Sequence, residues 1–196
     1  QSFSPTTEAR LQAVLDAFQA EYRTGGMAAA INVDGLAVWE GATGFASQEI
    51  DWTSPTFALK QSGIPFTTNT LSRIYSVTKT FTAALILELV NEGALNLNDP
   101  ISKFFDIENY NPQLNGDVTI HQLLSHSSGF SDFLTNPALL GAVSQNPTKI
   151  WSPIEVLAFA GKENEPDAIR KYSNTNYIIL GIIIETVTGK PVEQSF

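Results

Sequence analysis

The chain has 196 residues, with 20 acidic side chains against 11 basic ones, a formal net charge of −9 and no cysteine. It is long enough to bury a core without covalent staples, and disulfides and thiolate metal sites are excluded. The acidic balance argues against nucleic acid as a partner, because phosphate backbones are held by lysine and arginine.

In chain order, Ser4-Pro5 reads as a helix cap followed by a first-turn proline. Leu11, Val14, Leu15, Phe18 and Tyr22 then share one helical face, and Gly25-Gly26 is the expected stop. Apolar runs at 27–33 and 36–40 flank Asp34-Gly35, the signature of a β-hairpin. A third short strand is expected at 44–47, and 53–70, rich in Thr, Ser, Pro and Asn, reads as loop. Residues 77–91 form a helix that is apolar all round, so it is expected to be buried all round, with Gly93 beyond its end. From 95 to 166 helices and loops alternate. Thr119/Gln122 and Ser152/Glu155 are capping boxes opening helices expected to stop at Gly129 and Gly161. A second apolar helix covers 176–188 and ends at Gly189, with Pro191 beyond. The apolar stretches 81–90 and 178–187 are too short and too interrupted to span a bilayer.

Two small clusters carry chemistry. Ser76 and Lys79 lie three apart at the start of the first apolar helix, so both side chains point the same way. A serine hydroxyl is a poor nucleophile until a neighbour takes its proton, and a lysine held where water is scarce can serve as that partner. The helix N-terminus adds free N–H groups suited to a developing oxyanion. Tyr172-Ser173-Asn174 precedes the second apolar helix, and a phenol beside an ammonium loses its proton more readily. Each cluster alone is also compatible with ordinary capping and packing. A Ser–His–Asp triad through His126 and Asp132 is the rival arrangement, but the chain contains no G-x-S-x-G. The only two histidines, His121 and His126, do not form H-E-x-x-H, so neither metal nor cofactor is expected.

Taken together and in order, the segments FTTNTLSRIYSVTKTFTAALILELVNEGALNLNDPI, VTIHQLLSHSSGF and PDAIRKYSNTNYIILGIIIETVTGKP resemble the signatures of the serine β-lactamase and DD-peptidase superfamily. The likeness is to its D-alanyl-D-alanine carboxypeptidase, class C β-lactamase and esterase branch, and it covers residues 11–191. It implies an α+β fold: an antiparallel sheet flanked by helices (1–94), a mostly helical lobe (95–170) and a return segment (171–196). It also implies acyl transfer through a covalent acyl-enzyme. In that family the position of Ser76 is the nucleophile, Lys79 its adjacent lysine, Tyr172 the general-base tyrosine and Asn174 the substrate-binding amide, and the serine proton is expected to go to the Lys79/Tyr172 pair. His126 is expected to be structural, tying loop carbonyls at a helix end.

Two departures stand out. The family's Pro-Gly before the tyrosine is Pro166-Asp167 here, so the loop is expected to differ locally, because aspartate adopts positive φ less readily than glycine. The family's third motif, K-T-G or H-x-G on a strand, has no counterpart, and the Thr188-Gly189 pair ends a helix instead. The chain is therefore expected to hold only the N-terminal part of the fold, one incomplete domain, with a C-terminal chain from a processed precursor as partner; simple truncation of a longer chain is the alternative. Without it both apolar helices would lose cover and present a large patch. Gln1-Ser2-Phe3-Ser4-Pro5 has neither a basic nor an apolar signal region, so the protein is either cytosolic or, as expected here, secreted or periplasmic with its signal removed; the resemblance implies action on a D-alanyl peptide or related amide. An ester or a β-lactam is the alternative substrate, and a non-catalytic ligand-binding or regulatory module is the alternative from another class.

Overall fold

In the computed structural model, which describes residues 2–35, 37–50 and 59–196, helix α1 spans Pro5–Tyr22. Ser4 caps it as expected, its Oγ accepting from Thr7 N at 3.3 Å. The helix ends on Arg23 in the left-handed conformation, φ 50°, two residues before the expected glycine stop. Of its apolar face only Leu15 is buried, while Phe18 and Tyr22 are exposed and lean on each other at 4.3 Å.

Strands β1 (Gly26–Val33), β2 (Ala37–Ile50) and β3 (Leu59–Pro65) form an antiparallel sheet in the order β1-β2-β3. The hairpin register, with Ile31 opposite Trp39 and Val33 opposite Ala37, places the turn at Asp34-Gly35 as the sequence predicts. The expected separate strand at 44–47 is instead the continuation of β2, whose pairing with β3 shifts register between Phe45 and Ser47 and between Gln48 and Ile50. Strand β3 arises inside the stretch read as loop; residue 36 and 51–58 of the expected hairpin and loop lie outside the described residues. Its Lys60, Ser62, Gly63 and Ile64 are exposed, so β3 is held by backbone pairing and lacks the alternating apolar pattern that marks a strand in sequence. Helix α1 and this sheet make up a first unit, Gln1–Arg73.

The second unit, Ile74–Phe196, holds the larger core. A 3-10 turn at Tyr75–Val77 leads into α2 (Thr78–Asn91). The short helices α3 (Ile107–Tyr110), α4 (Ile120–Leu124), α5 (Pro137–Gln145) and α6 (Pro153–Leu157) follow, and α7 (Asn174–Thr188) closes on Gly189 in the left-handed conformation. Both predicted capping boxes form, at Thr119 and Ser152. The helices they open are shorter than expected. Helix α4 stops at Leu124 because the chain turns over at His126, φ 56°, and Ser127 N reaches back to Gln122 O at 2.9 Å. Helix α6 stops at Leu157, where the amide of Asn111 takes the carbonyls of Leu157 and Ala160 at 2.8 and 2.9 Å.

The expectation that α2 is buried on all sides is corrected. Only the stripe Thr82, Ile86 and Leu89 is buried, whereas Val77, Phe81 and Leu87 are 58, 53 and 52 % exposed. Uniform hydropathy measures what a helix is able to bury; the face actually covered is the one that meets α7. In α7, Ile179, Leu180, Ile183 and Ile184 are fully buried, together with Ile86, Leu123 and Leu157.

Candidate active site

Two loops converge on the N-terminus of α7. Ser131 exchanges hydrogen bonds with Gly161, and its carbonyl accepts from Ser173 Oγ at 3.1 Å and Thr175 Oγ1 at 2.7 Å. Phe133 N in turn donates to Thr175 Oγ1 at 3.2 Å. Below this seam Asn176, with no exposed surface, accepts from Ser128 Oγ at 2.7 Å and donates to Leu123 O at 3.2 Å. Asn176→Ala leaves the Ser128 hydroxyl without its acceptor in a buried position, so we expect a loss of about 2–4 kcal/mol in unfolding free energy, read by urea denaturation.

Gly129 permits this geometry. Its φ is 78°, its carbonyl takes both Glu163 N and Asn164 N, and a Cβ there would lie 2.2 Å from Asn164 O. Asp167 corrects the expectation of an altered loop: it adopts φ 62° itself. Its carboxylate accepts from Ser127 Oγ at 2.7 Å and Gln122 Nε2 at 2.6 Å. The same bonds, Ser127's first, hold this carboxyl below the usual aspartate range. Side-chain hydrogen bonds thus offset what glycine would supply through conformational freedom.

The four residues singled out in the sequence are brought together. Ser76 Oγ lies 2.8 Å from Tyr172 Oη and accepts from Lys79 Nζ at 3.3 Å. Lys79 Nζ donates to Asn174 Oδ1 at 2.6 Å, and Tyr172 Oη is 3.4 Å from that same oxygen. The lysine amine also sits 4.9 Å from the ring centre of Tyr172 and 5.4 Å from that of Tyr177. Ser76 is exposed and Lys79 half-buried, so the cluster is wetter than the water-poor setting expected. A cavity of about 540 Å³ opens on Ser76, Lys79, Ala83, Leu87, His126 and Tyr172. Tyr75, immediately before Ser76, is held at φ 45°, a strained conformation for a residue with a Cβ that costs about 1–3 kcal/mol.

The electrostatics follow from these contacts. The ammonium of Lys79, and next the hydroxyl of Ser76, hold the Tyr172 phenol below the usual value of 10.0. Burial, and then the charge of Lys79, pushes His126 below 6.5, while Asp132 pulls it the other way. Burial raises the phenol of Tyr177.

His126 does not form the rival triad. Its Nδ1 accepts from Ser173 N at 3.2 Å, and its ring stacks on Tyr172 at 4.7 Å and Tyr177 at 5.3 Å. Its ring therefore receives an N–H instead of tying loop carbonyls as expected. Asp132 accepts from Asn174 Nδ2 at 2.7 Å. Sequence reasoning missed Tyr177 and the bond from Asp132 to Asn174. Helical spacing from Asn174 marks Tyr177 as its neighbour at i+3. For Asp132 the available signal was a capping residue, since its Oδ1 accepts from Leu134 N at 3.1 Å. Among the described residues no group of three or more His, Asp or Glu side chains is placed to hold a metal ion, and no helix is long and apolar enough to cross a membrane.

The profile of the Beta-lactamase family matches residues 11–196. The chain belongs to that family. Penicillin-binding protein 4 of Amycolatopsis lactamdurans is 29 % identical over 188 residues, which are 95 % of this chain and 44 % of that protein. The D-stereospecific amidohydrolase of a Streptomyces species superposes with a TM-score of 0.71 at 29 % identity, covering 96 % of this chain and 52 % of that one. The D-amino acid amidase of Ochrobactrum anthropi SV3, complexed with L-phenylalanine amide, gives 0.73 at 29 % identity, with 94 % and 47 % covered. This beta-lactamase-family chain thus spans from about a quarter to about half the length of the relatives it matches. The α+β organisation expected from its sequence is that of the family.

Proposed function

We propose that the chain carries the acylating half of a serine hydrolase that opens a D-alanyl peptide or a related amide through a covalent acyl-enzyme. The observation that carries this reading is the 2.8 Å contact of Ser76 Oγ with a phenol whose proton Lys79 makes easier to lose. Tyr172 is nearer to the serine than Lys79 is, and Lys79 Nζ is already directed at Asn174 Oδ1. The phenolate of Tyr172 therefore takes the Ser76 proton as Oγ bonds to the carbonyl carbon. The Ser76 backbone N–H is one donor to the oxyanion. As the tetrahedral intermediate collapses, the C–N bond breaks and the Tyr172 proton passes to the departing nitrogen. Water then repeats the sequence against the ester, releasing the acid and restoring Ser76. The amide class is supported by the amidase neighbours, whose names state that chemistry for those proteins. An ester or a β-lactam would follow the same steps.

We also propose that further polypeptide completes the site and that the protein acts outside the cytoplasm. The exposed Val77 just before α2, the exposed Phe81 and Leu87 of α2 and the greater length of the relatives support the first point. The test is mass spectrometry of the native protein after exposure to a fluorophosphonate and to a penicillin. The expected result is an adduct on Ser76 that Ser76→Ala abolishes, and the intact mass reports any second polypeptide. Nitrocefin, a p-nitrophenyl ester and a D-Ala-D-Ala peptide then rank the substrates. A chain left unmodified by every reagent favours a non-catalytic binding module.

A further inference from the structure

The side chain of Asn174 is gripped at both ends by partners of opposite kind. Its Oδ1 accepts from Lys79 Nζ at 2.6 Å, and its Nδ2 donates to Asp132 Oδ2 at 2.7 Å. An ammonium only donates and a carboxylate only accepts, so of the two flips open to an amide only one satisfies both. We infer that Asp132 is a positioning residue for the proposed acyl transfer: its carboxylate fixes the flip of Asn174 and so keeps an oxygen facing Lys79 beside Ser76. The inference rests on the reading of Ser76, Lys79 and Tyr172 as the acylating cluster.

The backbone prepares this contact. Ser131 and Phe133, on either side of Asp132, are tied to Ser173 and Thr175, on either side of Asn174. The two side chains meet because their neighbours are sewn together. Asp132 has a second task, since its other oxygen, Oδ1, accepts from Leu134 N at 3.1 Å and caps the 3-10 turn Phe133–Thr135. The two tasks respond differently to substitution. Asparagine caps a turn as well as aspartate does, but it carries only one oxygen. With that oxygen on Leu134 N, the amide at position 132 presents N–H groups to Asn174. Asn174 must then rotate, turning its own N–H groups towards the Lys79 ammonium.

The experiment compares the wild type and Asp132→Asn in the rate of Ser76 labelling by a fluorophosphonate. It adds the melting temperature and the Asn174 side-chain amide signal in an ¹⁵N-labelled sample. D132N is expected to melt within about 2 °C of the wild type and to label about 10–100-fold more slowly. Its Asn174 amide protons should move away from the position of a carboxylate-bound N–H. A D132N protein that labels within about twofold of the wild type, or whose Asn174 amide signal does not move, overturns the inference. Should the wild type not label at all, the proposed function falls and the amide signal alone decides: displacement in D132N supports the positioning role, and an unmoved signal removes it.

Discussion

Lys79→Ala is expected to slow acylation of Ser76 by about 10²–10⁴-fold, the largest effect of any single change beside the nucleophile. The amine reaches Asn174 Oδ1 at 2.6 Å, Ser76 Oγ at 3.3 Å and the face of the Tyr172 ring at 4.9 Å. It is also the first cause of the lowered Tyr172 phenol. Alanine therefore returns the phenol towards 10.0, so that less phenolate is present at neutral pH, and strips Asn174 Oδ1 of the shorter of its two donors. Lys79→Arg separates charge from shape: it retains a cation, but the planar guanidinium cannot serve the same three directions from one nitrogen. Its rate is expected to fall between those of the wild type and the alanine variant. The measurement is time-resolved mass spectrometry of the fluorophosphonate adduct, with circular dichroism to confirm folding. An alanine variant labelled within about threefold of the wild type would remove the lysine from the mechanism.

The site was legible in the sequence to the extent that its parts are local. Ser76 and Lys79 are one helical turn apart, and Tyr172 and Asn174 flank the cap of the next apolar helix, so spacing and the family signatures found all four. What spacing cannot supply is which side chains meet across a long separation in sequence. The Asp132–Asn174 bond depends on a seam of Ser131, Phe133, Ser173 and Thr175 backbone and hydroxyl groups that has no pattern of its own. Asp167 was misjudged for a similar reason. A local rule about glycine was outweighed by hydrogen bonds from Ser127 and Gln122, which lie far off in the chain. In the fold, capped helices and the hairpin turn were readable because their signals are adjacent residues. Strand β3 was not, because pairing of exposed backbone leaves little trace in side-chain type. Helix α2 was half readable: its composition gives its hydrophobicity, and only its neighbour α7 decides that Thr82, Ile86 and Leu89 are the buried stripe.

Tyr172→Phe is the sharper test of how the serine is activated. The ring stays, with its stack on His126 at 4.7 Å, and only the oxygen that touches Ser76 Oγ is removed. Acylation is expected to fall by about 10²–10³-fold. The pH dependence then shows whether the phenol is the group that acts. The reactive form is the phenolate, so the wild-type rate rises with pH through the phenol's pKa in the folded protein. That value lies below 10.0 because the Lys79 ammonium and the Ser76 hydroxyl outweigh desolvation and the Asp132 charge. The other rings facing it do not produce this limb: burial, and then the charge of Lys79, hold His126 below 6.5, so it does not change charge over the range followed, and burial raises the Tyr177 phenol. The sign for stability is the same: a phenol whose pKa is lower folded than unfolded adds stability as pH rises between those two values. The rising limb should therefore vanish in Tyr172→Phe and move to higher pH in Lys79→Ala. A limb that persists unchanged in the phenylalanine variant, followed from neutral pH to about 10, would transfer the base role from Tyr172 to another group.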